Sequence, residues 1–228
     1  MDQTPTRTPA ITYLGLALAL FGVPLVVFIF QSNVTPGPYS NQFVITKELS
    51  IFAFTGFFLL LIIKGEKLGL DSIGLHNRNW GKSILWGLIG ALIAIAALAI
   101  LLFFIFPKVG ITFAEGGEST RYKNVSLWAM TLMVLRAGIV EEIFYRGYVI
   151  ERLEKMTGNW IIYFLLPLIL FGLFHYRQGI GGIIIAFVAG VILAVLYIKK
   201  RDLKANIIAH FLVDFLPNVI LPLLSDQR

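Results

Sequence analysis

Two adjacent glutamates, Glu141 and Glu142, lie between Arg136 and Arg146 in the stretch RAGIVEEIFYR, with apolar residues on both sides. In hydrocarbon each charge at mid-helix costs about 2.5 to 3.5 kcal/mol, so four left unpaired would cost on the order of 10 kcal/mol. Helical spacing offers a partial remedy. Glu142 and Arg146 are i and i+4, on one face and within ion-pair reach, whereas Glu141 points about 100° around the helix from Glu142. Arg136 lies off both faces, so the local pattern leaves Glu141 to face something else. Two later stretches add histidine: FGLFHYRQG sets His175 one turn after Phe171, and NIIAHFLVDF sets His210 and Asp214 at i and i+4. Three apolar segments can converge such groups on one buried polar pocket. There a carboxylate serves as general base while imidazoles orient water or stabilise an oxyanion, a constellation suited to hydrolysing an amide bond with activated water. The plainer reading makes the cluster the interfacial end of a span, with Arg146 and Arg152 snorkelling to headgroups and His175 in a structural hydrogen bond. His76 falls in a charged loop and reads as solvated.

The elements that must hold these residues are membrane helices. The chain has 228 residues, of which 57% are hydrophobic and 14% charged, with a mean hydropathy of +0.82, far from the composition of a soluble domain. Apolar segments at 11–30, 43–63, 84–106, 127–150, 160–175, 180–198 and 205–224 come close to or reach the roughly 20 residues that cross about 30 Å of hydrocarbon. The expectation is an all-α, polytopic transmembrane bundle of about seven spans, one integral membrane domain. Within it, residues 1–126 are N-terminal spans and loops, 127–224 the motif-bearing core, and 225–228 a short tail. The net charge of +6 comes from basic residues in short loops beside apolar runs, which argues for orientation and anionic lipid rather than nucleic acid. Loops KGEKLGLDSIGLHNRNWGK and KKRDLK are rich in Lys and Arg and QSNVTPGPYSNQ has none, which puts the N-terminus in the cytoplasm. With no cysteine, disulfides, thiol nucleophiles and cysteine metal ligands are excluded.

Several protease designs fail on inspection. HExxH is absent, the glycine-rich turn GIGG has no hydroxyl for a serine nucleophile, and Asp214 is the one aspartate in a span. A glutamate design remains. The chain resembles the CPBP intramembrane proteases, which comprise type II CAAX prenyl endopeptidases and bacteriocin-processing or immunity proteins. Their motifs EExxxR, FxxxH and HxxxN/D are matched in order by EEIFYR (Glu141 to Arg146), FGLFH (Phe171 to His175) and HFLVD (His210 to Asp214). The resemblance implies an integral membrane endopeptidase acting on a lipidated, CAAX-like, bacteriocin-like or pheromone-like peptide substrate. It assigns water activation to Glu141, assisted by His175 and His210, with Glu142, Arg146, Phe171 and Asp214 in support. Asp214 departs from the common Asn, since an ionised carboxylate cannot donate to an oxyanion. The family's metalloprotease description adds a zinc alternative, for which His175, His210, Asp214 and Glu141 are the candidate ligands. Two non-proteolytic readings stand beside it: a binding or immunity protein of the same fold, and a proton-coupled transporter, against which the lack of an internal repeat counts.

Overall fold

The computed structural model describes residues 9–33, 37–77, 79–113 and 118–224. The tail expected at 225–228 lies outside the described residues. Among these there is helix and no strand, and seven rods follow one another: α1 (Ala10–Ser32), α2 (Asn41–Gly65), α3 (Trp80–Val109), α4 (residues 127–157), α5 (Trp160–Leu173), α6 (Tyr176–Lys200) and α7 (Leu203–Leu224). Five of them, α1, α2, α3, α6 and α7, are long and apolar enough to cross a membrane. The other two depart from the expected spans for physical reasons. Helix α5 has 14 residues, a rise of about 21 Å, and α4 carries the charged cluster. The protein is a multi-pass helical membrane bundle.

Helix starts follow capping chemistry. Ser40 Oγ accepts from Phe43 N at 3.1 Å before α2, Asn159 Oδ1 from Ile161 N at 3.0 Å before α5, and Asp202 Oδ1 from Lys204 N at 3.1 Å before α7. Gly158, at φ +60°, ends α4 in the left-handed conformation.

The two basic loops meet at one end of the bundle. Leu203 N donates to Gly74 O at 3.0 Å, and Ser83 Oγ donates to Asp202 Oδ2. Lys200 lies over the Trp86 ring and Lys204 over Trp80. Gly74 stands at φ +80°, and a Cβ there would come within 2.9 Å of the Tyr197 hydroxyl, so both conformation and space call for glycine. Arg201 pairs with Glu151 at 2.8 Å, tying the end of α4 to the same loop. At the opposite end Tyr39 N donates to Arg121 O at 2.7 Å and Ser126 N to Asn41 Oδ1 at 2.8 Å.

At the basic end a second cluster ties α1, α2 and α4 together. Glu66 accepts from Thr12, Tyr148 and Arg152, each at 2.8 Å. Burial works against its charge, but the bonds from Arg152, Thr12 and Tyr148 outweigh it and hold the carboxyl below its ordinary value. A depressed carboxylate contributes stability above its unfolded pKa and loses it as pH falls through the folded value. The thermal midpoint of the wild type should therefore exceed that of Glu66→Gln at pH 7, and the gap should close as pH drops below the ordinary 4.5. A gap that stays constant down to pH 3 would refute the account.

Helix α4 is the centre of the molecule. From Glu142 to Ile150 it is π-helical, and all nine of these residues are buried. Neighbours on every side explain this, because α1, α5, α6 and α7 all pack on the segment. A regular α-helix is what the sequence suggests here; the wider i→i+5 turn is the departure, of a kind that recurs at functional sites.

Candidate active site

Glu142 has no exposed surface, and its carboxylate is fully engaged. Oε1 accepts from Arg146 Nη1 at 2.9 Å and from His210 Nδ1 at 2.7 Å, and Oε2 accepts from Asn206 Nδ2 at 3.0 Å. A carboxylate already serving a guanidinium and an amide takes a further bond only from a donor, so His210 carries its hydrogen on Nδ1 in this arrangement. The ring is thereby turned to present Nε2 to Asp214 Oδ2 at 3.4 Å and to Glu141 Oε2 at 3.9 Å. That second separation lets one water molecule bond to both atoms.

Glu141 is more open, its side chain 17% exposed. Spacing alone leaves it without a partner; the structure corrects this, because Arg136 Nη1 donates to Glu141 Oε1 at 3.0 Å. The reach of the arginine stem defeats the face argument: five residues apart is off-face for Cβ atoms, yet within range of a guanidinium. Arg136 also donates from Nε to Glu48 on α2. Oε1 of Glu141 is thus held while Oε2 faces His210.

Phe171 is the packing hub. Its ring lies 4.5 Å under the Arg146 guanidinium, 5.0 Å from the His175 ring, 5.2 Å from Tyr145 and 6.4 Å from His210. Arg146 also points Nη2 at Gly190 O, and a Cβ on Gly190 would come within 3.3 Å of that nitrogen and 2.8 Å of Leu168. Only a glycine lets α6 approach this closely.

His175 lies in the turn between α5 and α6. Its Nδ1 bonds to Phe171 O at 2.8 Å, and since a carbonyl only accepts, Nε2 is left as the acceptor. No hydrogen bond or ion pair joins it to Glu141 or His210 among the described residues, so it reaches the cluster through the Phe171 ring. Depth explains the difference. His210 is seven residues, about 10 Å, into α7 from the basic end, whereas α5 carries the chain about 21 Å in before the turn. Phe171 spans the gap because helix side chains lean toward their own N-terminus.

The zinc alternative does not fit this donor set. Among the described residues no three His, Cys, Asp or Glu side chains gather in a group that could hold a metal ion. His175 shares no hydrogen bond or ion pair with Glu141, His210 or Asp214 among the described residues. Two participants escape the sequence reading. Asn206 is one turn before His210 on the same face of α7, a spacing visible in NIIAH. Glu48 sits beside Lys47 inside the second apolar run, and the cost of that charge pair in hydrocarbon is the signal the sequence carries for it.

Residues 123–216 match the family described as Type II CAAX prenyl endopeptidase Rce1-like. This segment resembles an Rce1-like domain. The match supports assignment to the CPBP proteases, and it runs from just before α4 into α7, taking in Glu141, Glu142, Arg146, Phe171, His175, His210 and Asp214. By its description that family consists of type II CAAX prenyl endopeptidases, and the match covers less than half of the chain. No curated protein and no solved structure matches the chain.

Proposed function

We propose that the protein is an endopeptidase that cuts a lipidated or otherwise membrane-associated peptide on the cytoplasmic side, with Glu141 activating the attacking water. The observation that carries this reading is the 3.9 Å approach of Glu141 Oε2 to His210 Nε2 beside a fully committed Glu142. One carboxylate is taken up in holding the imidazole; the other is left to do chemistry. Water bonded to both atoms loses a proton to Glu141 as its oxygen attacks the scissile carbonyl carbon. When the tetrahedral intermediate collapses, that proton passes to the departing amine nitrogen and the C–N bond breaks. His210, when protonated on Nε2, donates to the developing oxyanion, and Asp214 and Glu142 hold the ring in line. His175, held by its Nδ1 bond to Phe171 O, keeps Nε2 as an acceptor for substrate or water. Asp214 takes the part of a ring-orienting carboxylate rather than the donor that Asn supplies.

The cytoplasmic assignment rests on the meeting of the two Lys/Arg-rich loops at the end nearer the site, with the start of α1 at that end through Thr12 and Glu66. About 10 Å of depth lets a peptide anchored by a lipid tail reach the pocket while its polar part stays near the headgroups.

The test uses the full-length protein in proteoliposomes with a farnesylated peptide ending in a CAAX sequence, and the same peptide without the lipid. Mass spectrometry should find a new C-terminus at the lipidated residue. Absence of cleavage of both peptides, from either side of the membrane, would overturn the substrate class proposed here.

A further inference from the structure

Arg136 and Glu48 belong to none of the three motifs and take no part in the steps drawn above. They are nevertheless among the most completely enclosed charges in the chain, Arg136 at 7% and Glu48 at 0% exposure. Arg136 Nε donates to Glu48 Oε2, and Nη1 donates to Glu141 Oε1 at 3.0 Å. Glu48 Oε1 faces Lys47 Nζ at 3.1 Å, and that ammonium donates to the Tyr122 hydroxyl at 2.8 Å. A continuous polar chain therefore runs Tyr122, Lys47, Glu48, Arg136, Glu141, from the segment ahead of α4 across α2 and back into α4.

The form of the chain matters more than its charge balance. A guanidinium is a rigid planar fork, so fixing Nε on Glu48 fixes the direction of Nη1 as well. Held that way, Arg136 grips Glu141 through one oxygen only. An arginine without a second anchor prefers two parallel bonds to a carboxylate, and here the second bond would capture Oε2, the oxygen that faces His210 at 3.9 Å. Charge neutralisation of Arg136 by itself would be met by either glutamate; neither the shared fork nor the one-oxygen grip is needed for that.

We propose that Glu48, acting through Arg136, is a positioning residue for Glu141: it occupies one arm of the guanidinium so that Glu141 keeps one oxygen free and aimed at His210. This rests on the reading of Glu141 as the water-activating base.

The experiment compares wild type, Glu48→Gln, Arg136→Gln and the double variant in proteoliposomes on a fluorescent farnesylated CAAX peptide. In Glu48→Gln the neutral amide is a weaker acceptor than the carboxylate, so the guanidinium turns to Glu141, the remaining anion; kcat should fall about ten- to a hundredfold with KM within about twofold, since substrate contacts are untouched. The double variant should be no slower than Arg136→Gln alone, because Glu48 has nothing to act through once the arginine is gone. Unchanged kcat in Glu48→Gln, or losses that multiply in the double variant, overturns the proposal. A turnover-free readout separates this from failure of the proposed reaction. The carboxylate stretches of Glu141, isolated as the infrared difference between each protein and its Glu141→Gln counterpart, should move from a one-oxygen to a two-oxygen pairing pattern in Glu48→Gln. The same band in both backgrounds overturns the proposal even if the wild type cuts no peptide. Should Glu48→Gln fail to accumulate, Glu48→Asp, which keeps the charge on a shorter stem, draws the fork away from Glu141 and should show the same loss in kcat at constant KM; wild-type kcat in that variant counts against the proposal.

Discussion

Glu141→Gln is expected to remove cleavage of a prenylated peptide almost entirely while the protein still inserts, accumulates and melts near the wild-type temperature. The amide is the same size as the carboxylate and can still accept the Arg136 Nη1 bond on its oxygen. What it cannot do is take a proton from water, and loss of a positioned general base lowers rate about 10²- to 10⁴-fold. Stability should change little, because Arg136 keeps Glu48 as its counter-charge and Glu141 is already 17% exposed. The measurement is initial rate on the peptide together with thermal unfolding in the same lipid. A Glu141→Gln protein that cleaves at the wild-type rate would move the base elsewhere in the cluster. A protein that loses activity because it no longer folds would recast Glu141 as a structural partner of Arg136.

How much of this was legible beforehand can be traced residue by residue. The Glu142 to Arg146 pair was readable because i and i+4 neighbours share a face in almost any helix, and the pair survives the change from α to π geometry. The His210 to Asp214 relation was readable for the same reason. Local spacing says nothing of what another helix brings, which is why Glu48 on α2 escaped although it closes the Arg136 account. Asn206 escaped for a different reason. It lies one turn from His210, but its importance appears only once Glu142 arrives from α4 at 3.0 Å. The nine-residue π segment has no signal in composition, since, Gly147 apart, its residues are ordinary helix and strand formers mixed together. The span count was legible to the extent that hydropathy fixes it. The two exceptions differ in cause: α5 is apolar but only 14 residues long, and α4 carries charges that neighbouring helices enclose.

The other mismatch concerns the two histidines. Reading FxxxH and HxxxD as direct partners brings both histidines to one point, yet His175 lies in the turn after α5 and bonds to Phe171 O, with no hydrogen bond or ion pair to His210 among the described residues. The structure resolves this with a ring. The Phe171 ring contacts both imidazoles, His175 at 5.0 Å and His210 at 6.4 Å, and its contacts to Arg146 and Tyr145 bind the π segment to α5. The phenylalanine of that motif is therefore as informative as its histidine: it touches both imidazoles and the Arg146 guanidinium that pairs with Glu142.

Glu142→Ala should have the largest effect on stability of any single change in the cluster. The substitution removes the one acceptor shared by Arg146, His210 and Asn206, three buried donors. Breaking a buried ion pair from one side typically costs about 3 to 5 kcal/mol, because a charge is left enclosed without its counter-ion. For Arg146 what remains is the long 3.4 Å approach to Gly190 O. Asn206 keeps its bond to Leu193 O at 2.8 Å, and His210 loses the bond that fixes its ring. Low accumulation and a thermal midpoint many degrees below wild type are the expected result, with cleavage abolished as well. The double variant Glu142→Leu/Arg146→Leu separates the two consequences. Replacing both charges with apolar groups of similar volume should restore much of the stability, but not turnover, since nothing then aims His210 Nε2 at Glu141. Recovery of activity alongside stability in that double variant would show that the Glu142 bond to His210 holds the fold and has no part in orienting the imidazole.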